Sequence, residues 1–135
     1  MGCDMHAHIE VKMEGKWRHY SAPSINRNYD FFALIAGVRN YDNIKPISKP
    51  KGIPKDVTYI TKKHYESWGL DAHDASWLGV EELIELENIK HDEVFFLEDT
   101  FKTFIFGNGL TGWYKYPEDN KIGIEDLRIV FWFDN

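Results

Sequence analysis

The chain opens on strict alternation of apolar and polar residues. Cys3, Met5, Ala7, Ile9, Val11 and Met13 hold one set of alternate positions, and Asp4, His6, His8, Glu10 and Lys12 hold the other. A period of two is that of a half-buried strand. Glu14-Gly15 supplies a tight turn, because glycine tolerates positive φ, and Lys16–Tyr20 is expected to return as the second strand of a hairpin. A loop over 21–28 follows, and then the period changes. Phe31, Leu34, Ile35 and Val38 recur at helical spacing, predicting a helix over Asp30–Val38 with Asn28 or Asp30 as cap and Arg39-Asn40 at its end.

Pro46, Pro50, Gly52 and Pro54 make 41–56 a long irregular loop, of the kind that is usually functional or mobile. Thr58 can cap a helix running to Trp68, with Gly69 as its stop. Ser76–Leu78 is expected as a short strand and Val80–Glu87 as a short acidic helix. The aromatic-rich stretch Val94–Phe106 is expected to end in short strands. Near the end, Leu127, Ile129, Phe131 and Phe133 alternate with Arg128, Val130 and Trp132, the pattern of a buried strand that ends the sheet. The sum is one α+β domain over residues 1–135: an antiparallel sheet containing the N-terminal hairpin and the C-terminal strand, with short helices on one face and a long Pro-rich loop.

Composition narrows the setting. The 135 residues are 43% hydrophobic and 28% charged, ordinary globular proportions, and aromatics at 16% provide bulk for a core. No apolar run approaches a membrane span and no signal-peptide pattern opens the chain, so neither is expected. The single cysteine, Cys3, cannot form an internal disulfide, which fits a reducing cytoplasm. A net charge of −6 disfavours binding of extended nucleic acid. That charge is uneven, however: seven Lys or Arg and two Asp lie between Arg39 and Lys63, whereas Glu81–Asp99 is almost wholly acidic. A local basic loop on an acidic protein suits a small anion, although two oppositely charged solvated surfaces would read the same way.

Three sets of residues could carry chemistry. On the first strand Asp4, His6, His8 and Glu10 share a face, and two histidines two apart can hold one metal ion with a carboxylate as third ligand. The bland alternative is a polar face turned to water. In Asp71-Ala72-His73-Asp74-Ala75-Ser76, an Asp-x-His pair could ligate a metal or act as an oriented base, or the same residues could make turn and capping hydrogen bonds. A metal centre built from Asp4, His6, Asp71 and His73 would hold a divalent ion, provided the fold brings both segments together. The third set, Arg27, Asn28, Arg39, Asn40 and Lys51, is interleaved with Tyr29, Tyr41 and Trp68. Arginine presents a planar fork to phosphate and aromatic faces stack on nucleobases, but helix-end ion pairs and core packing would use these residues equally well. Cys3, on the apolar face, is not expected to be a nucleophile.

Several blocks resemble a family of small proteins encoded by tailed bacteriophages. They are Cys3-Asp4-Met5-His6, the run from Arg27 to Ala36, Val38-Arg39-Asn40, Pro46-Ile47, Pro50-Lys51-Gly52-Ile53-Pro54 with Asp56-Val57, Trp68, Asp71-Ala72-His73 with Ser76-Trp77-Leu78, and Val130 to Asn135. The chain departs from the family pattern at Lys51, where arginine is usual, at Asp74, where serine is usual, and at Gly79, where threonine is usual. The resemblance implies a phage setting, hence the cytoplasm of an infected bacterium, and names no chemistry.

The leading expectation is a binding protein for a small phosphate-bearing, nucleotide-like molecule, held by Arg27, Asn28, Arg39, Asn40, Lys51, Trp68, His73 and Ser76. In the phage setting it would sequester a host immune signal. A metal-dependent phosphoester hydrolase using the Asp/His set is the second expectation. A third is an interaction protein anchored by Trp113, Tyr114 and Tyr116. Self-association into a homo-oligomer is also expected of a small sheet protein with this many rings.

Overall fold

A computed structural model of the protein describes residues 2–88, 118, 120 and 123–134. The stretch Val94–Phe106 and the aromatic anchors Trp113, Tyr114 and Tyr116 lie outside these residues.

Strands β1 (Met5–Met13), β2 (Lys16–Ser21), β3 (His73–Gly79) and β4 (Asp126–Phe133) form one antiparallel sheet in the order β2-β1-β4-β3. The expected hairpin is there, closed by Glu14 and Gly15 with φ of 53° and 74°, the paired left-handed conformation that suits the sheet's twist. The C-terminal strand lies beside β1 at the centre, with Met5 opposite Phe133 and Lys12 opposite Asp126. Side chains alternate between faces, so this register fixes two layers. Met5, Ala7, Ile9 and Val11 share one face with Leu127, Ile129, Phe131 and Phe133; His6, His8 and Glu10 share the other with Arg128, Val130 and Trp132.

The apolar face is covered by α1 (Tyr29–Ala36) and α3 (Val80–Glu87), whose Phe31, Phe32, Leu34, Ile35, Val80, Leu83 and Leu86 join it in a single core. The ring of Phe32 meets that of Phe133 edge-on, 5.0 Å between centroids. Asn28 caps α1, its side-chain oxygen accepting from the Phe31 N–H at 3.0 Å. The helix stops at Gly37 (φ 71°), whose N–H donates to the Ala33 carbonyl at 2.8 Å, so it ends earlier than the Phe31–Val38 spacing predicts. Val38 is nevertheless buried, reaching the core from the turn.

Helix α2 (Tyr59–Trp68) behaves differently. Only Thr61 is buried along it, and it lies over the polar face of the sheet, against His6, His8 and Trp132. The helices therefore divide between the two faces rather than sharing one. Residues 37–58 form the long irregular connection that the prolines impose. Its end is tied to β3 by hydrogen bonds from the Gly52 N–H to the Ala75 carbonyl (2.8 Å) and from the Lys51 N–H to the Ser76 hydroxyl (3.0 Å). Among the described residues no helix is long and apolar enough to cross a membrane.

Candidate functional site

The polar face under α2 is built around a fully buried carboxylate. Glu10 Oε1 accepts from Arg128, with Nε at 2.8 Å and Nη2 at 2.7 Å; Oε2 accepts from the Thr58 N–H at 3.0 Å and from the hydroxyls of Thr58 (2.5 Å) and Thr61 (2.8 Å). Thr58 was the expected cap of α2. Its own side chain does not close the helix; the sheet's carboxylate takes that role, set against the positive end of the helix dipole. Arg128 also donates to the Asp56 carboxylate at 2.7 Å and the Asp56 carbonyl at 3.2 Å, and this guanidinium holds the Asp56 carboxyl below its usual range. A buried ion pair of this kind is tolerable because both carboxylate oxygens accept more than one hydrogen bond and all three guanidinium nitrogens donate.

Beside it three imidazoles run in a hydrogen-bonded chain. His8, 3% exposed on β1, contacts His19 of β2 through Nδ1 (2.8 Å to Nε2) and His64 of α2 through Nε2 (2.7 Å to Nδ1). Beyond it, the indole N–H of Trp68 donates to His64 Nε2 at 3.3 Å. An indole nitrogen only donates, so the tautomers follow in order. His64 Nε2 accepts, and neutral His64 donates from Nδ1 to His8 Nε2. His8 then donates from Nδ1 to His19 Nε2. Burial, with His19 and His64 close by, pushes His8 down to about 4; burial also lowers His19 and His64. His6, next along the face, is bound to Asp134 instead, 2.7 Å from Nε2 to Oδ2, and its ring lies 4.4 Å from that of Trp68. A hollow of about 300 Å³ opens here, lined by residues including Asp4, His6, Ser24 and His64.

At the other end of the same face lies a larger cleft of about 520 Å³. Lys12, Lys51, Lys55 and Arg128 line it together with Trp17, Trp77, Asp56 and Asp126. Two cations sit on its rings: the Arg128 guanidinium 3.9 Å from the centre of Trp17, and the Lys51 ammonium 3.8 Å from that of Trp77. Lys51 also bonds Glu82 at 2.6 Å. Past Trp77 a second hollow of about 450 Å³ continues, lined by Glu81, Glu82, Glu125 and Asp126. Trp77 thus stands between a basic compartment and an acidic one.

The structure scatters the residues singled out by sequence. The four proposed metal ligands do not converge, and among the described residues no group of three or more His, Cys, Asp or Glu is arranged to hold a metal. Asp4 pairs with Arg27 (3.0 Å), His6 with Asp134, and His73 with Asp74 (2.7 Å), while Asp71 is exposed in the 3-10 turn that follows α2. The reason is parity. His73 pairs with Phe133 and so shares its apolar face, whereas His6 pairs with Trp132 on the opposite one. A bulge between His73 and Ser76, where Asp74 adopts φ 51°, sets this phase. The His chain is no chelate either, because its nitrogens point at one another.

Of the expected ligand residues, Lys51 lines the cleft and Ser76, buried, anchors the Lys51 backbone. The others lie elsewhere. Asn28 caps α1; Asn40 clamps its own loop through both amide atoms to Ile44 (2.7 and 2.8 Å); Arg39 lies 5.4 Å from the Tyr29 ring and donates to the Tyr41 hydroxyl; Trp68 closes the imidazole chain. Sequence reasoning missed Trp17, Trp77, Lys12 and Arg128. Lys12 and Arg128 were placed on strands, and the hairpin register alone puts Trp17 opposite Lys12.

The fold and these hollows define the class: a small α+β protein, one antiparallel sheet between two unlike helical layers, with a cationic, tryptophan-walled cleft on the polar side. No family model, curated protein or solved structure matches the chain.

Proposed function

We propose that the protein binds a small molecule carrying a phosphate and a planar ring, a nucleotide or a close relative, in the cleft between Trp17 and Trp77. The observation that carries this reading is Trp77 at the junction of two oppositely charged compartments. A nucleotide has the matching polarity: an anionic end for Lys12, Lys51 and Lys55, a flat ring for indole, and ring N–H donors for the carboxylates of Glu81, Glu82 and Asp126. Lys51 lies on Trp77 and bonds Glu82, so binding exchanges that contact for one to phosphate. Arg128, whose guanidinium is engaged by Glu10 and Asp56, packs on Trp17 and fixes that wall of the cleft. In the phage setting that the sequence resemblance implies, such a protein would sequester a host signal nucleotide in the bacterial cytoplasm.

The test is titration with cyclic and linear nucleotides, followed by quenching of tryptophan fluorescence and by calorimetry. Saturable binding is expected, weakened at least tenfold by Trp77→Ala and by Lys51→Ala. Absence of binding by every nucleotide up to millimolar concentration would overturn the reading, and so would binding that both substitutions leave unchanged.

A further inference from the structure

The imidazole chain makes no use of the cleft, and its hydrogens can be counted. Three contacts link four rings, Trp68–His64, His64–His8 and His8–His19. Each contact holds one proton, and one nitrogen, Nδ1 of His19, lies outside the chain. The capacity is therefore four protons. One indole and three neutral imidazoles carry four. The chain is saturated while every histidine is neutral, so a fifth proton must put two N–H groups nose to nose and break a link. For the same reason the chain cannot serve as a base or a relay: every lone pair inside it is occupied, and its inner end is an indole that accepts nothing.

We propose that this chain is a proton-sensitive latch: of its three links His64–His8 is the one that joins α2 to the sheet, and a proton that breaks this link lets the helix go. What surrounds the chain favours that outcome. From β1 it is faced by Glu10, whose two oxygens are engaged by Arg128 of β4 and by Thr58 and Thr61, and by His6, which is bound to Asp134. From α2 Tyr65 packs on the same Trp132, and Asp4, at the rim of the hollow beside His64, is paired with Arg27. Glu10 favours a charged His8 or His19, but burial outweighs it, and the other carboxylates are already partnered. Trp132 lies fully buried in this layer with its indole N–H unpartnered among the described residues, a cost of the docked state that release of α2 removes. The burial that lowers the affinity of His8 for protons works in the same direction.

Hydrogen exchange resolved by segment, from pH 7.5 to 4.5 and expressed as protection factors, tests the latch. Below about pH 6.5, protection in 59–68 is expected to fall roughly tenfold per pH unit for each proton taken up, while β1 and β4 stay protected. Protection of α2 that persists to pH 4.5 would overturn the proposal, as would loss of α2 and the central strands together. Trp68→Phe sharpens the test. It opens the Nε2 lone pair of His64, so the docked chain can accept one proton with no link broken, and the pH dependence of α2 release is expected to become shallower by one proton. A dependence as steep as that of the unsubstituted protein would refute the saturation argument. Should that variant not fold, the exchange profile of the unsubstituted protein still decides.

Discussion

The two faces of the sheet solve one problem by opposite means. On one, α1 and α3 press phenylalanine, leucine and isoleucine onto Met5, Ile9, Phe131 and Phe133, and the layer is held by removal of apolar surface from water. On the other, α2 brings one buried residue of its own, Thr61, and is held by a carboxylate at its N-terminus and an imidazole chain toward its C-terminus. Apolar burial is indifferent to pH and tolerant of geometry. A polar layer has neither property. Every partner must be present, in one protonation state, or a buried group is left stranded.

The comparison can be broken most forcefully on the apolar side. Phe32→Ala is expected to cost about 3–5 kcal/mol in urea unfolding, by the same amount at pH 7.5 and at pH 5.5. On the polar side Arg128→Met strands the Glu10 carboxylate and is expected to cost about 3 kcal/mol or more. Replacing the pair together, Glu10→Leu with Arg128→Met, removes the stranded charge but leaves the Thr58 N–H and the Thr61 hydroxyl without their acceptor, so a double-mutant cycle should show recovery of only part of that loss. Acid separates the faces without mutation. His8 titrates lower in the folded protein than in the unfolded chain, so below about 6.5 the unfolded chain binds more protons and stability falls as pH drops toward 4. Burial lowers His19 as well, so His19→Gln should flatten the slope measured by urea titration at successive pH values. The smallest effect belongs to Asn28→Ala, about 1 kcal/mol from the lost cap of α1, independent of pH between 5 and 8.

The same contrast explains what could be read from the chain. The hairpin, β4 and the core face of α1 were legible because alternation and helical spacing are written in apolar residues, and α3 has the residue limits its sequence predicts. The length of α2 was legible from Thr58 and Gly69, but its side of the sheet was not. A helix that docks through Thr61, His64, Tyr65 and Trp68 has no apolar stripe to announce its target. Alternation puts His6, His8 and Glu10 on one face, but the same pattern fits metal ligands, a solvated face and the hydrogen-bonded layer that is present. The true partners of His8 divide by how far information travels. His19 follows from hairpin register, opposite Glu10, while His64 is 56 residues away and is placed by tertiary packing alone. The strand expected over Ser76–Leu78 begins earlier, at His73, and a bulge that the spacing does not announce sets the face on which His73 lies.

The tether between the Pro-rich connection and β3 has a consequence of its own. As the last strand in the sheet order, β3 would present a row of free backbone groups to any passing chain, an invitation to intermolecular pairing. The Gly52 N–H occupies the Ala75 carbonyl, the Lys51 N–H takes the Ser76 hydroxyl, and the flanking Pro50 and Pro54 have no N–H to offer a newcomer. The segment that supplies a lysine to the cleft thereby also works as a selvedge over the middle of β3, where it stands in the way of a foreign strand.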